Sequence, residues 1–290
     1  MRFVTDHPIG SHFFVGSAHA NAGTSAAHGY SPDAPLTTID AAVALCTASA
    51  GDIIWVLPGH VETVTAAGGL DLDVAGITVR GIGSGTLQPK VDLTTIATAD
   101  VDIDAANITI ENLQFEASVA DLAAVIDVNA DDCTIRNCRF LAPVTDENAK
   151  IWILGATATG SDRLVVEGCW FQDKDAANTH GISFADGTPD GCVVRDCVFH
   201  GFYETAAIGG TGALTNCLIL NNYIQNADTD ADACINLPAN TTGIVARNVV
   251  GAALGCNATT NITVGSSAVL AENYSVDVGD RQGVLDPIAT

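Results

Sequence analysis

Thirty-four Asp and Glu side chains among 290 residues bring many carboxylates together by chance, so any proposed acid–base or metal chemistry must be tested against its spacing. Hydrolysis of a glycosidic bond asks for two carboxyl groups roughly 5 to 9.5 Å apart across a groove. Asp131 with Asp132, and the turns holding Asp186 and Asp190, offer such groups, but all lie where Asp is favoured for turn formation alone. Asp228, Asp230 and Asp232 alternate as calcium ligands do, yet the loop lacks the glycine and distal glutamate of an EF-hand, and a solvated turn accounts for it. His7, His12, His19 and His28 crowd the amino-terminal segment, where they can meet a metal or a neighbouring subunit; surface histidines on an extended arm are the simpler account. Nine cysteines form an odd set with no CxxC pair, and the spacings Cys133 to Cys138 and Cys192 to Cys197 match no common zinc pattern. No Gly-rich phosphate loop, nucleophile elbow or HExxH occurs. The residues therefore assign no catalytic group, no cofactor and no metal site.

The elements that would have to position any site are written as a repeat. An eight-residue phrase recurs as ITVRGIGS at Ile77, ITIENLQF at Ile108, CTIRNCRF at Cys133, LVVEGCWF at Leu164 and CVVRDCVF at Cys192. Weaker copies begin at Cys217, Gly243 and Ala268. The starts lie 31, 25, 31, 28, 25, 26 and 25 residues apart, a regularity that unrelated strands would not keep. Alternation turns positions one, three, six and eight inward, with a bend between three and six. A second phrase, as in VDIDAAN at Val101 and IWILGATATG at Ile151, adds a third strand to each coil. The fold expected is all-β: a right-handed, single-stranded parallel β-helix of about eight coils.

Stacking such coils piles like on like. Position eight gives a column of Phe115, Phe140, Phe171 and Phe199, continued by Ile224 and Val250. Position six runs Ile82, Leu113, Cys138, Cys169, Cys197, Asn222, Asn248 and Asn273. At a strand spacing of about 4.8 Å, rings can stack and buried amides can bond along the column. Six of the nine cysteines fall at positions one or six, as small apolar fillers and free thiols. The chain divides into an arm (1–30), a capping-helix region (31–50), the β-helix (51–279) and a tail (280–290). In the cap, Thr37 or Thr38 can start a helix whose buried face carries Ile39, Ala42, Val43 and Cys46, and Gly51 ends it. The GDIIWVLPGH segment from Gly51 supplies the first buried strand.

Eleven basic side chains leave a formal charge of −23, a field that repels phosphate backbones and excludes nucleic acid as a partner. No apolar run approaches the ~18 residues of a membrane span, and Met1–Ser11 lacks signal-peptide form. Folding in a cytoplasm is expected.

From Ser31 to Val278 the sequence resembles the pectate-lyase-like superfamily of parallel β-helices. SPDAPLTTIDAAVALCTASAGDIIWVLPGHVETV, from Ser31, is similar to the opening module of many β-helix proteins encoded by tailed bacteriophages. The resemblance implies virion surface proteins, commonly homotrimers, or secreted polysaccharide lyases and hydrolases. Lyases of the superfamily use calcium-holding acids and an Arg or Lys base; here Arg136, Arg195 and Arg247 recur at positions suited to exposed turns, without an evident acidic cluster. Of the polygalacturonase-like segments only Asp131 with Asp132, and His180 with Gly181, are present. The resulting expectation is a non-enzymatic structural protein of a tailed-phage virion, decorating the head or belonging to the tail. It would assemble in the host cytoplasm, form a homotrimer through a less charged flank, and bind other virion proteins through its amino-terminal arm. The alternatives are a tailspike-like depolymerase of bacterial surface polysaccharide and a non-catalytic glycan-binding adhesin. The adhesin requires a surface aromatic row, for which three Trp and four Tyr leave little material, and Trp55, Trp152 and Trp170 can equally be core.

Overall fold

The computed structural model describes residues 10–144, 146–155, 160–174, 177–185, 187–228, 233–252, 261–275 and the backbone of 283–285. The chain is an all-β parallel β-helix of about eight turns, with three strands per turn stacking into three long sheets. Sheet 1 has ten strands, beginning with His12–Val15 and Ile53–Val56 and then taking the first half of each repeated phrase. Sheet 2, also ten-stranded, takes the second half of each phrase, and the eight-stranded sheet 3 takes the strands between. Among the described residues the pairings between coils are parallel, and the strand Gly283–Leu285 runs antiparallel, against Asn273–Ser275.

The bend inside the phrase is a single residue in the left-handed region. Asn112, Asn137, Gly168, Asp196, Asn221, Arg247 and Glu272 occupy it on successive coils, with φ between 52° and 61°. Asn, Asp and Gly suit this conformation because a short polar or absent side chain relieves its steric cost. The one-residue corner reverses inward parity, so Ile108, Ile110, Leu113 and Phe115 of one phrase are all buried.

Along the core, Phe115, Phe140, Phe171 and Phe199 are fully buried and stack, with ring centroids 5.1, 4.6 and 4.5 Å apart and interplanar angles of 11°, 4° and 1°. Cys138, Cys169 and Cys197 form the next column as buried free thiols, each Sγ donating to a backbone carbonyl two residues back. Burial pushes the Cys169 thiol well above its ordinary pKa. Below them, Asn222, Asn248 and Asn273 continue the column as a buried amide ladder. Asn248 Nδ2 donates to Ile219 O (2.9 Å) and Asn273 Oδ1 (3.0 Å), while its own Oδ1 accepts from the Asn222 backbone N–H and Nδ2, both at 3.0 Å. Every buried polar atom of Asn248 is thereby paired, the condition for placing amides in an apolar core.

Three sequence expectations need correction. Ile82 does not join the position-six column but is 37% exposed, because the 31-residue period of its coil places an extra loop and a short 3-10 turn, Gly85–Leu87, after Gly81. The segment 10–30 is not a free arm. His12–Val15 adds a strand to sheet 1 against Ile53–Val56, burying Phe13 and Val15, and the chain returns so that Leu36 N donates to Phe14 O (2.8 Å). An exposed edge at Ile53–Val56 would leave backbone groups unpaired, and the apolar alternation of Phe13 and Val15 lets this strand cover it. The helix is also shorter than expected, Ile39–Val43, with Thr38 Oγ1 accepting from Ala41 N. It stops well before Gly51 because the buried Asp52 carboxylate captures the backbone N–H groups of Thr47 (2.7 Å) and Ser11 (2.6 Å), drawing the chain into turns. Residues 1–9 and most of 280–290 lie outside the described residues; within the tail, Gly283–Leu285 pairs as a strand.

Candidate functional site

Residues at phrase position seven lie between the inward positions six and eight, so they project from the outer face of sheet 2. Strand register sets them in one column, Gln114, Arg139, Trp170, Val198, Tyr223, Val249 and Tyr274, headed by Lys90 from the strand before them. Trp170, Tyr223 and Tyr274 are 46%, 48% and 48% exposed, too open for core packing. They occupy every second coil, which puts neighbouring rings about 10 Å apart along the solenoid. Arg139, on the neighbouring coil, lies over the Trp170 ring, 5.8 Å from its centroid. Beside this column runs a second one in register, Asp92, Glu116, Leu141, Gln172, His200 and Gln225, polar except at Leu141.

Toward the amino-terminal end the face deepens into a cleft of 500 Å³. Gly59, His60, Gly85, Thr86 and Gln88 form its wall, and Lys90, Gln114, Glu116 and Arg139 line its floor. Gly85, Thr86 and Gln88 belong to the loop added by the long coil after Gly81, and Gly59 and His60 to the turn that precedes Val61–Val64. On the floor, Lys90 Nζ donates to Glu116 Oε2 (2.8 Å) and Gln114 Nε2 to Glu116 Oε1 (2.6 Å). Partial burial opposes the Lys90 charge, but the hydrogen bond and charge of Glu116, with Asp92, more than offset it and raise the Lys90 pKa. His60 is structural. Its Nδ1 accepts from Ser17 N (3.0 Å), so Nε2 carries the proton and donates to Glu62 Oε2 (2.9 Å), which also accepts from Ile39 N (2.8 Å). This buried chain of bonds ties the helix to the cleft wall.

The acidic and basic candidates of the sequence fall elsewhere and are not brought together. Asp131 and Asp132 sit in the turn between sheets 3 and 1, where Arg163 binds Asp132 through Nε (2.5 Å) and Nη2 (2.8 Å) and lowers its pKa. His180 begins the strand His180–Phe184 in the middle of sheet 3, and burial depresses its pKa to about 4. Asp190 accepts from Asn216 and Thr215, bonds that lower its pKa. Asp186, Asp230, Asp232 and His7 lie outside the described residues. Among the described residues no group of three or more His, Cys, Asp or Glu side chains is placed to hold a metal ion, and no helix is long and apolar enough to cross a membrane.

Arg136 and Arg195 are not in turns. They end strands of sheet 1 and pair with carboxylates of neighbouring coils, Arg136 with Glu111 (3.1 Å) and Arg195 with Glu167 (2.5 Å), because parallel register sets position four of each phrase beside the next. Arg247 alone of the three sits at a corner, bonded to Asn221 (2.8 Å). Of the tryptophans, Trp152 is core, packed on Phe140, whereas Trp55 and Trp170 face outward. The aromatic row that composition argued against therefore exists, built from three residues by register. Reading position seven down the phrases would have found it.

No family model and no curated protein matches the sequence. Solved structures do match in fold. A rhamnogalacturonan lyase superposes with a TM-score of 0.56 at 12% identity, over 83% of this chain and 68% of that one. The Aspergillus niger pectin methylesterase gives 0.57 at 15% identity, over 93% and 87%. The pectate lyase Pel9A gives 0.53 at 12% identity, over 96% and 81%. The chain has the pectate-lyase-like parallel β-helix fold. At these identities the likeness of this β-helix to its neighbours is one of architecture, and its chemistry must be argued from its own surface.

Proposed function

We propose that this β-helix is a non-enzymatic structural protein on the surface of a tailed-phage particle, and that the outer face of sheet 2 is where it holds a glycan chain. The exposed column of Trp170, Tyr223 and Tyr274 carries the reading. Flat rings offer apolar faces to sugar C–H groups, and a two-coil repeat of about 10 Å matches a step of two rings along an extended glycan. Gln172, His200 and Gln225 beside the rings supply hydrogen bonds to hydroxyls. The three structures of the same fold are named for rhamnogalacturonan, pectin and pectate, which supports a saccharide as ligand class. The opening module from Ser31 supports the phage assignment, and eight free cysteines among the described residues suit folding in the reducing cytoplasm of a host. Attachment to other virion proteins falls to the amino-terminal end.

The test is affinity electrophoresis and tryptophan fluorescence of the full chain against purified bacterial capsular polysaccharides and O-antigen chains, with reducing ends assayed in parallel. Binding without release of reducing ends is expected, and Trp170→Ala should weaken it about tenfold, roughly 1.4 kcal/mol. Steady release of reducing ends would make the protein a depolymerase, and indifference of binding to Trp170→Ala would remove the aromatic column from the site. Immunogold labelling of intact particles checks the virion location.

A further inference from the structure

The outer face of sheet 1 differs from the rest of this acidic molecule. Its position-four column alternates in sign, Arg80, Glu111, Arg136, Glu167, Arg195, so three positive and two negative groups nearly cancel within a chain of net charge −23. Toward the carboxyl end the column becomes apolar, Leu220 and then the small Ala246 and Ala271, and beside it Ile244 and Val269 stand 42% and 57% exposed. At the other end it carries the large ring of Trp55.

We propose that two copies of this chain pair face to face through sheet 1, with antiparallel solenoid axes. Sheet 1 has ten strands, and its midpoint falls between Thr134–Arg136 and Val165–Glu167. A two-fold axis there overlays the whole face on itself, and the four inner members of the charged centre then meet their opposites, while Arg80 meets the partner's Leu220. Arg136 faces the partner's Glu167, and Glu111 faces the partner's Arg195. Farther out, Trp55 meets the partner's Ala246, large against small, and Ile53 meets the partner's Ile244. The overlap is a strip of about 43 by 13 Å, of the order of the ~800 Å² per partner that a stable interface buries. A three-fold bundle of parallel copies would instead set like charges level with one another. Sheet 2 stays open on both copies, so the pairing is independent of glycan binding.

Sedimentation velocity of the full chain over a dilution series is expected to show a two-chain species. Glu111→Arg and Arg195→Glu should each weaken association about tenfold or more, and the double variant should recover most of it. Within one chain these residues are three strands apart, about 14 Å, so rescue can come only across the axis. Ile244→Asp, at an exposed site where folding is not at risk, should weaken it too, and circular dichroism confirms the fold of each variant. A monomer at all concentrations, a three-chain mass, single variants that associate like the parent, or a double variant no better than the singles overturns the proposal.

Discussion

Asp71, Asp102 and Asp127 stand in one column on the outer face of sheet 3, in register on adjacent parallel strands. Desolvation, and then the charges of Asp100 and Asp104, raise Asp102 and Asp127 to about 6, with Asp127 and Asp71 adding to the rise at Asp102. Asp71 and Asp100 move the same way, chiefly through desolvation. An unfolded Asp titrates near 3.9, so the folded state holds protons that the unfolded state has lost. The stability these groups confer is full below pH ~4 and disappears as pH rises through ~6. Replacing one of them with Asn should therefore stabilise the protein at pH 7.5. With solvent screening discounted, Asp102→Asn is expected to gain about 1 kcal/mol there and little at pH 4. Urea titrations at the two pH values check this; an equal effect at both would show that the column is not self-repelling.

At the scale of the element, the one-residue corner between sheets 1 and 2 is where local preference and fold agree or conflict. Asn112, Asn137, Gly168 and Asn221 suit its positive φ, whereas Arg247 and Glu272 adopt it at a cost. Glu272→Gly should relieve that strain and stabilise by up to about 1 kcal/mol, measured as a higher thermal midpoint, while Gly168→Ala should do the opposite. A Cβ at Gly168 would approach Asn137 Oδ1 to 2.7 Å. This corner also explains what could be read in advance. Inward positions one, three, six and eight follow from alternation plus one parity switch, so the Phe, Cys and Asn columns were legible before any coordinates. Outward columns obey the same register, but they mix polar and apolar residues, Gln114 and Arg139 with Val198 and Val249, and the rings of Trp170, Tyr223 and Tyr274 are separated by 53 and 51 residues in the chain. The ends of the solenoid were least legible. There the pattern has no neighbour to repeat, and specific bonds, those of Asp52 and the His60–Glu62 pair, decide where the chain turns.

At the scale of the molecule, each coil touches only the coils above and below, so stability is a sum of coil terms and nearest-neighbour contacts instead of one global quantity. The four stacked phenylalanines place the strongest apolar contacts in the middle coils. Toward the carboxyl end Leu270 is only half-buried and Val269 is exposed. Amide hydrogen exchange should accordingly be slowest in strands near Phe140 and Phe171 and fastest around Ala268–Ala271. Phe171→Ala removes the ring that joins the two halves of the stack and should cost about 3–5 kcal/mol locally. With coupling confined to neighbours, exchange should accelerate in the strands around Cys138 to Phe199 while Ile53–Val56, several coils away, keeps its protection. Uniform acceleration along the whole chain would mean that the solenoid unfolds as a single cooperative unit, and that its columns transmit strain end to end.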